Sequence, residues 1–553
     1  MSTILSLQDV EHARQFYAAG YWRSDTLYAL LRTCAERTPD RFILRDTNAR
    51  LTFRAAREWI DALAQDLHDA GIRPGDRVSV WLPSRVETAL IFLACSRMGY
   101  VCNTSLHRDY TCGDIVVLLE RAGSAAFFAQ PGYGADGAKK DIFSMAAALP
   151  RLKKAYNIGP LRSDMTESAR PIGLGDLSPA PAAISVSSNP DRIVYLAFTS
   201  GTTGQPKGVM HSDNTILANA RAIVQDWGFD RETVVYSLSP LSHNIGIVGL
   251  AVALACGGEF IAHTPLDAAR MLDRIIETGA TYVLGVPTHA IDLLSEMRRR
   301  GMAALGRVAA FQLGGAPVPP PTVLGLMQVG VKTQNAYGMT ENHSFQYTRP
   351  DDSPETIAST CGRPAQGMEI RLWREDDCNV ESAGGAVGEL GVRGASLMLG
   401  YFDDQATTEL SFNREGWFMT GDLARFDARG NLQIAGRKKD LIIRGGHNIY
   451  TVRIEDFTMR HPAVAKAAAF AVSDERLGER VCLAVIARAN GALNAPELLQ
   501  HLNEQGLSKY DMPEFFLELD EFPLTASGKV LKRRLVEMVA QGLLKPEPVR
   551  WQG

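Results

Sequence analysis

One run of hydroxyl and glycine residues has the composition of a phosphate-binding loop. It is TSGTTGQPKG, Thr199 to Gly208, and it follows the apolar run Ile193 to Phe198. Glycines let the backbone approach a ligand closely, and hydroxyl and N–H groups donate to phosphate oxygens. The loop is not a Walker motif, because Lys207 is followed by glycine instead of serine or threonine. An ordinary polar turn has the same composition, so this run alone leaves both interpretations open.

A second glycine pattern, GYGADG at residues 132–137, matches the dinucleotide signature GxGxxG. That signature needs a strand running directly into the glycine turn and an acidic residue about 20 positions later. Here Pro131 interrupts the join, and no acidic residue stands near the required distance. We therefore interpret this segment as a surface loop.

The surrounding pattern alternates between strands and helices, which is typical of α/β layers. Residues 75–83 predict a strand and turn, and an apolar helix follows from Val86 to Met98. The run Ile193 to Phe198 predicts a buried strand. Beyond the Thr199 loop, apolar residues at helical spacing predict a helix that ends at Gly228.

Two further apolar runs, residues 308–313 and 331–336, lead into the polar segments GGAPV and YGMTE. Open α/β sheets bind ligands at the carboxyl ends of their strands, so these segments are candidate binding loops. After about residue 430, strand-like runs alternate with short helices, which indicates a separate α+β domain. We place the boundary within GRKKD, with an N-terminal domain at 1–438 and a C-terminal domain at 439–553.

Bulk composition excludes several classes of protein. The 553 residues are 46% apolar and 22% charged, as in globular proteins with packed cores. The formal charge of −4, without a basic block, argues against a nucleic-acid partner. Eight scattered cysteines without a CxxC pair are typical of reduced thiols in the cytoplasm. Early acidic residues argue against a signal peptide, and the run Ile245 to Gly258 is too short to span a membrane.

Taken in order, many segments resemble the motifs of the adenylate-forming (ANL) superfamily, which includes acyl-CoA synthetases, peptide-synthetase adenylation domains and luciferases. Besides the Thr199 loop, the matching segments are LTFRAARE (51–58), PLSHNIG (240–246), LGGAP (313–317), NAYGMTE (335–341), GELGVRG (388–394), GWFMTGDLA (416–424), GRKKDLIIRGGHNI (436–449) and PLTASGK (523–529). The resemblance implies an ATP-dependent ligase that activates a carboxylic acid as acyl-AMP and transfers the acyl group to coenzyme A. It also implies an α/β fold: a large N-terminal domain with two α/β sheets and a small β-barrel-like subdomain, and a small mobile α+β C-terminal domain. A homodimer is a candidate assembly.

The resemblance also implies a role for individual residues. Tyr337 and the GGAP loop would flank adenine, and Asp422, assisted by Arg437, would accept both ribose hydroxyls. Thr340 would reach the α-phosphate, and Glu341 would hold Mg²⁺, which prefers carboxylate and phosphate oxygens. The full set implied for the nucleotide is Thr199, Ser200, Gly201, Thr202, Thr203, Gly204, Lys207, Gly315, Ala316, Pro317, Asn335, Ala336, Tyr337, Gly338, Asp422 and Arg437.

Lys529 matches the catalytic lysine of the family. A substrate carboxylate that attacks the α-phosphorus brings two anions together, and a long ammonium side chain can bridge them. His243 matches a position beside the incoming carboxylate, and we expect it to position substrate. A histidine held only by local hydrogen bonds is the alternative.

The second half-reaction is implied by GRKKD and RGGHN. Lys439 matches the family's hinge position, and Gly446 would line a tunnel for the pantetheine arm of coenzyme A, where a Cβ would obstruct passage. Two departures from the family pattern stand nearby. Residues 451–455 read TVRIE where relatives often have PxEIE, and Lys532 stands where arginine is common.

The segment PLSHNIG narrows the range of carboxylic acids that could be the substrate. Adenylation domains for amino acids usually have an aspartate where this chain has Asn244, which cannot neutralise a substrate ammonium. The pair His243–Asn244 also resembles enzymes that activate aryl acids, but Ile245, Ile247, Val248 and Leu250 would form an apolar wall. With Val248 and Gly315 as further substrate contacts, a cyclic, benzoate-like or medium-chain acid is favoured, and the sequence is similar overall to cyclohexanecarboxylate–CoA ligases.

Other functions stay open. The chain could load its acyl group onto a carrier-protein thiol instead of free coenzyme A. A nucleotide-binding module without catalysis is disfavoured by the presence of Lys529 and Glu341. A luciferase-like oxygenase has no specific support in the sequence.

Overall fold

The computed structural model describes residues 5–7, 9–162, 166–171, 173–174, 177, 184–199, 206–264, 267–488, 493–524 and 529–551. The chain forms two compact units. Unit 1 comprises Met1–Glu369 and Arg393–Leu410, and unit 2 comprises Ile370–Val392 and Ser411–Gly553. The domain boundary predicted at residue 438 stays a prediction.

The strands in the first part of the chain are β1 (Phe42–Arg45), β2 (Arg50–Thr52), β3 (Arg77–Trp81), β4 (Val101–Asn103), β5 (Ser124–Ala129), β6 (Lys154–Asn157), β7 (Ile193–Thr199), β8 (Lys207–Ser212), β9 (Val234–Ser237), β10 (Glu259–Ala262), β11 (Tyr282–Gly285), β12 (Ala310–Leu313), β13 (Lys332–Met339), β14 (His343–Tyr347) and β15 (Arg363–Pro364). They are followed by β16 (Met368–Trp373), β17 (Gly388–Gly394), β18 (Phe418–Phe426), β19 (Leu432–Arg437), β20 (Ile442–Arg444), β21 (His447–Ile449), β22 (Val464–Asp474), β23 (Gly478–Ala487), β24 (Phe515–Glu518) and β25 (Glu547–Pro548).

The helices are α1 (Val10–Ala18), α2 (Leu27–Arg37), α3 (Phe53–Asp69), α4 (Val86–Met98), α5 (Cys112–Ala122), α6 (Ile142–Ala146), α7 (Asp213–Trp227), α8 (Asn244–Cys256), α9 (Ala268–Glu277), α10 (Pro287–Arg299), α11 (Pro320–Gln328), α12 (Pro354–Ser359), α13 (Gln405–Leu410), α14 (Thr451–Thr458), α15 (Ala495–Glu504) and α16 (Lys532–Ala540). None of the helices in the described part combines the length and apolar character that a bilayer crossing needs.

Unit 1 contains two α/β sheets. The nine-stranded sheet has the order β15-β14-β13-β12-β11-β9-β10-β1-β2, and its six central strands run parallel. The six-stranded sheet has the order β6-β5-β3-β4-β7-β8, and only the β7–β8 pair is antiparallel. Parallel strands need crossover helices on the sheet faces, which explains why the strands read as continuous apolar runs.

Unit 2 contains most of the sheet β16-β17-β18-β19, in which the β17–β18 and β18–β19 pairs are antiparallel, and a second sheet formed by β20–β25. In the second sheet β22 and β23 pair as a long hairpin along the whole of β22, from Val464 to Asp474, with a register shift after Val464. Helices α14 and α15 cover one apolar cluster of this sheet, which includes Leu483 and Leu499, and α16 contributes Leu535 to another. The α/β fold with several sheets that the sequence predicts is therefore confirmed.

The predicted elements of unit 1 are largely confirmed, with two corrections. Helix α4 has the predicted bounds, and α7 ends at Gly228, whose φ of +65° gives the left-handed cap. The predicted loop-to-helix connection after β7 is wrong, because β8 intervenes and pairs with β7 as a hairpin. Strand β13 also runs on through the YGM segment to Met339, where antiparallel pairing with β14 extends it.

Candidate active site

The Thr199 loop connects the two strands of a hairpin. Thr199 ends β7 and is the register partner of Lys207, which begins β8. Ser200, Gly201, Thr202, Thr203 and Gly204, predicted to bind phosphate, lie outside the described residues. Lys207 is half-buried, and its ammonium lies 4.8 Å from the ring centre of Tyr401.

The candidate binding loops lie at one edge of the nine-stranded sheet. Strands β9, β11, β12 and β13 are parallel neighbours, so the segments after their last residues emerge at the same edge. The segment after β12 contains Gly315, whose φ of +81° is left-handed. A Cβ there would lie 3.7 Å from Val286 and 3.9 Å from Ile245, so the GGAP loop lies against the start of α8.

A tight turn at the end of β13 presents Thr340 and Glu341. Gly338 is required for it, because a Cβ there would stand 1.8 Å from the carbonyl oxygen of His343. The N–H of Asn342 donates to the carbonyl of Met339, and the Asn342 side chain accepts from the N–H of Met339. These two hydrogen bonds fix the turn that carries two predicted site residues, directly beyond a strand of the parallel sheet.

Two buried histidines hold this turn in place. His211 Nε2 donates to the carbonyl oxygen of Thr340 at 2.7 Å, and its ring lies 4.0 Å from the ring of His343. His343 in turn bonds through Nδ1 to Asn244 Oδ1 at 2.8 Å. Burial lowers the pKa of His211 to about 4 and that of His343 well below its ordinary value. Both imidazoles are therefore neutral at pH 7.

His243 occupies the N-cap position of α8, and its ring stacks on His107 with centroids 4.3 Å apart. His107 is 9% exposed and bonds to the Ser242 hydroxyl at 3.3 Å. Burial, with the neighbouring His243 ring, lowers the pKa of His107 to about 3. Val248 is buried one helical turn beyond Asn244. The structure thus brings the predicted acid-binding residues of α8 close to the Thr340 turn, through the His343–Asn244 hydrogen bond.

Glu341 has the surroundings of a metal ligand. Its side chain is 9% exposed, and Oε1 accepts a 2.9 Å hydrogen bond from the hydroxyl of Tyr401. The structure gives Oε2 no hydrogen bond to a described residue, which leaves this oxygen as the candidate metal ligand. No group of three or more acidic, histidine or cysteine ligands occurs in the described part of the chain. Glu341 therefore suits Mg²⁺ that takes its remaining ligands from phosphate oxygens and water.

Tyr401→Phe is expected to weaken Mg²⁺ binding by roughly 10–100-fold, because outer partners that orient a ligand carboxylate have effects of that size on metal affinity. Binding of Mn²⁺, as a paramagnetic probe of the Mg²⁺ site, is measured by electron paramagnetic resonance with ATP present. Tyr100→Phe is the matched control, because that hydroxyl donates to the backbone carbonyl of Ile72. Equal Mn²⁺ affinity in the wild-type protein and in Tyr401→Phe would contradict the assignment.

The remaining predicted nucleotide residues of unit 1 are divided between exposed and buried positions. Ala316 and Pro317 are exposed, whereas Ala336 is buried and pairs with Tyr347. The Asn335 amide donates to the carbonyl of Ile357 at 3.0 Å. Tyr337 is half-buried, with its ring 5.8 Å from that of Phe345. The nucleotide contacts of these residues stay predictions.

In unit 2, Asp422 and Arg437 are register partners on β18 and β19, and Arg437 Nε lies 2.8 Å from Asp422 Oδ1. Asp422 is 3% exposed. Arg437 therefore fixes the orientation of the Asp422 carboxylate. This arrangement is the one expected if Arg437 assists Asp422 in binding a ribose.

Lys439 is exposed in a single 3-10 turn, Lys438–Asp440. Gly446 is exposed in the two-residue turn between β20 and β21, where Gly445 and Gly446 have φ of +57° and +87°. Lys529 is exposed, directly after residues 525–528, which the structure does not describe. The roles of these three residues in hinge motion, coenzyme A binding and catalysis stay predictions.

The two departures from the family pattern prove to be neighbours in space. Lys532 Nζ lies 2.7 Å from Glu455 Oε1 and 2.9 Å from the hydroxyl of Thr451. Burial raises the pKa of Glu455, and the charge of Lys532 opposes that shift. Lysine at position 532 therefore forms a half-buried ion pair inside unit 2.

Sequence reasoning missed His211, His343 and Tyr401. His211 lies on the unpredicted strand β8, and Tyr401 lies 60 positions from its partner Glu341. His343 stood two residues after the YGMTE segment, and its proximity to that segment was the one available signal.

Comparison with known proteins shows which family the chain resembles. Residues 31–402 match the family model of AMP-binding enzymes, and residues 453–529 match that of the AMP-binding enzyme C-terminal domain. A medium-chain fatty-acid–CoA ligase of Escherichia coli (strain K12) is 30% identical over 93% of this chain and 90% of its own length. A salicylyl-CoA synthase / salicylate adenylyltransferase of a Streptomyces species is 31% identical over 96% of both chains.

Among solved structures, ATP-bound MatB from Rhodopseudomonas palustris superposes with a TM-score of 0.82 at 25% identity. The match covers 94% of this chain and 99% of MatB. The match to the first family model covers more than half of the chain, and the match to the second falls within the predicted C-terminal domain. The chain therefore belongs to the family of AMP-binding enzymes.

Proposed function

We propose that this protein is an ATP-dependent, AMP-forming carboxylate–CoA ligase. The observation that carries the proposal is the hydrogen-bonded connection between the Thr340–Glu341 turn and the start of α8, with Asn244 and His343 at its centre. Residues suited to phosphate and metal thus stand beside residues suited to an organic acid. Relatives along nearly the full length include a medium-chain fatty-acid–CoA ligase and a salicylyl-CoA synthase, which supports coenzyme A as the acceptor.

The reaction has two steps. A carboxylate oxygen of the acid attacks the α-phosphorus of ATP, the bond to the β-phosphate oxygen breaks, and pyrophosphate leaves. In our proposal Lys529 bridges the two anions, Thr340 donates to the α-phosphate, and His243 orients the acid. Mg²⁺, when bound at Glu341, supplies charge neutralisation on the phosphates. The thiol sulfur of coenzyme A then attacks the acyl carbonyl carbon, loses its proton, and AMP leaves.

We propose a non-amino acid with a cyclic, aromatic or medium-length aliphatic body as substrate. Asn244 lacks the charge that an ammonium needs, and buried apolar residues of α8, including Ile247 and Val248, offer an apolar wall. The relatives named above, a medium-chain fatty-acid–CoA ligase and a salicylyl-CoA synthase, act on acids within this class.

One assay distinguishes coenzyme A from a carrier-protein thiol as the acceptor of the acyl group. The protein is mixed with ATP, Mg²⁺ and members of an acid panel, with and without free coenzyme A, and thioester is detected by mass spectrometry. We expect acyl-CoA with at least one acid of the proposed class. Acid-dependent pyrophosphate release without any acyl-CoA would instead favour the carrier-loading alternative.

We also propose a cytoplasmic location and leave a homodimer as a prediction. The location is supported by eight cysteines that all occur as free thiols, a pattern typical of reducing compartments. Light scattering after size-exclusion chromatography measures the assembly state.

A further inference from the structure

His343 has an unusual backbone conformation for a buried side chain. Its φ is +59°, and among described non-glycine residues only Asp403 shares a positive φ. Such a conformation is uncommon even for histidine and is strained. Only 1% of His343 is exposed, so the ring is fixed by its surroundings. Strained residues of this kind are concentrated at functional sites, which directs attention to what the His343 ring contacts.

The ring contacts Asn244 on one side and His211 on the other. Nδ1 lies 2.8 Å from Asn244 Oδ1, and the His211 ring lies 4.0 Å away. His343 Nε2 is buried and has no hydrogen-bond partner in the described structure. An amide oxygen can only accept, so Nδ1 carries the proton of this contact, and a buried Nε2 without a partner is more readily a bare acceptor than an orphaned N–H group. The donor is therefore His343, and the acceptor is the carbonyl oxygen of Asn244.

This hydrogen bond decides which end of the Asn244 amide remains for a ligand. Of the two ends, the carbonyl oxygen is an acceptor and the NH₂ group supplies two donors. A substrate ammonium can use only the acceptor, and the structure turns that oxygen toward the buried His343 ring, which uses one of its two lone pairs. An acid with an oxygen acceptor, or with no polar group at this point, meets either the NH₂ group or apolar surface.

We propose that His343 is a positioning residue for acid selection: it holds Asn244 Oδ1 away from substrate and thereby excludes acids that carry an amino group near the carboxylate. The inference rests on the proposed function, since it concerns the acid that the ligase activates. His211 supports the arrangement, because its own hydrogen bond to the Thr340 carbonyl fixes the ring against which His343 packs. The contact between His343 and Asn244 thus lies beside the turn that presents Thr340 and Glu341. The proposed selection of the acid therefore depends on the same part of the fold as the phosphate and metal residues.

The test replaces His343 with asparagine, a residue that tolerates the left-handed conformation but is too short to reach Asn244. Pyrophosphate release is measured with 3-phenylpropanoate against phenylalanine and with octanoate against 2-aminooctanoate. The ratio of kcat/KM for the acid without an amino group to that with one is expected to fall by roughly 10–100-fold, the effect of one hydrogen bond to a charged group. His263→Asn is the control, because that buried imidazole bonds to the Tyr236 hydroxyl, and its ratio should equal that of the wild type.

A second measurement uses the wild-type protein and does not depend on the stability of a variant. With ¹⁵N-labelled histidine, the His343 signals are identified by their loss in His343→Asn or His343→Gln, and we expect a proton on Nδ1 and none on Nε2. A proton on Nε2, or an unchanged kcat/KM ratio in an active His343→Asn, would overturn the proposal. Wild-type protein that releases no pyrophosphate with any acid would instead refute the proposed function, and the selection proposal with it.

Discussion

Lys529→Ala lowers the rate of acyl-adenylate formation by about 10²–10³-fold if this lysine bridges the two anions, since loss of one electrostatic contact to a transition state has that effect. Lys529 is exposed in unit 2, so its removal leaves no cavity in the core. Acid-dependent exchange of labelled pyrophosphate into ATP measures the first step alone. Thioester formation from supplied acyl-adenylate and coenzyme A measures the second step, and we expect that rate to be preserved.

Lys545→Ala is the matched control for this prediction, because Lys545 is also exposed in unit 2 and has no assigned role. Both steps should proceed in that variant at the wild-type rate. Loss of both half-reactions together in Lys529→Ala, with a normal unfolding temperature, would contradict the separation of roles between the two steps.

Gly446→Leu is expected to abolish thioester formation while pyrophosphate exchange continues. No described atom lies within 4 Å of a Cβ built on Gly446, so the leucine side chain has room in the protein itself. We therefore expect the leucine side chain to obstruct the pantetheine arm of coenzyme A, if that arm passes this turn. The φ of +87° adds backbone strain of about 1–2 kcal/mol, which lowers stability without closing the adenylation site.

Gly506→Leu is the control that separates the effect of backbone strain from the effect of obstructing the pantetheine arm. Gly506 has a φ of +84° and also has nothing within 4 Å of an added Cβ, so this control carries similar strain at a different turn of unit 2. We expect Gly506→Leu to form thioester normally. Normal thioester formation in Gly446→Leu would refute the assignment of Gly446 to the coenzyme A path.

The sequence predicted long apolar elements well, and it failed where polar residues form strands. Helix α4 is buried at every position, and its composition alone marks it as a core element. Strand β8 contains lysine, histidine and serine, and it is stabilised by pairing with β7, a contact that no local pattern reveals. The extension of β13 through the YGM segment has the same cause, because pairing with β14 overrides the local preference for a loop.

The sequence predicted the candidate-site residues that stand in family motifs, and it missed the residues that contact them and hold them in place. Thr340, Glu341 and Asn244 stand in recognisable segments. Their partners reach them across large separations: His211 is 129 positions from Thr340, and Asn244 is 99 positions from His343. Such contacts arise from the order of strands in the sheet, so a single sequence carries almost no signal for them.

The central claim, attack of a substrate carboxylate on the α-phosphorus of ATP, is tested most directly with an acid labelled with ¹⁸O in its carboxylate. After turnover with ATP, Mg²⁺ and coenzyme A, mass spectrometry of the products should find one ¹⁸O atom in AMP and none in pyrophosphate. Unlabelled AMP, or label in inorganic phosphate with ADP as the nucleotide product, would contradict the account.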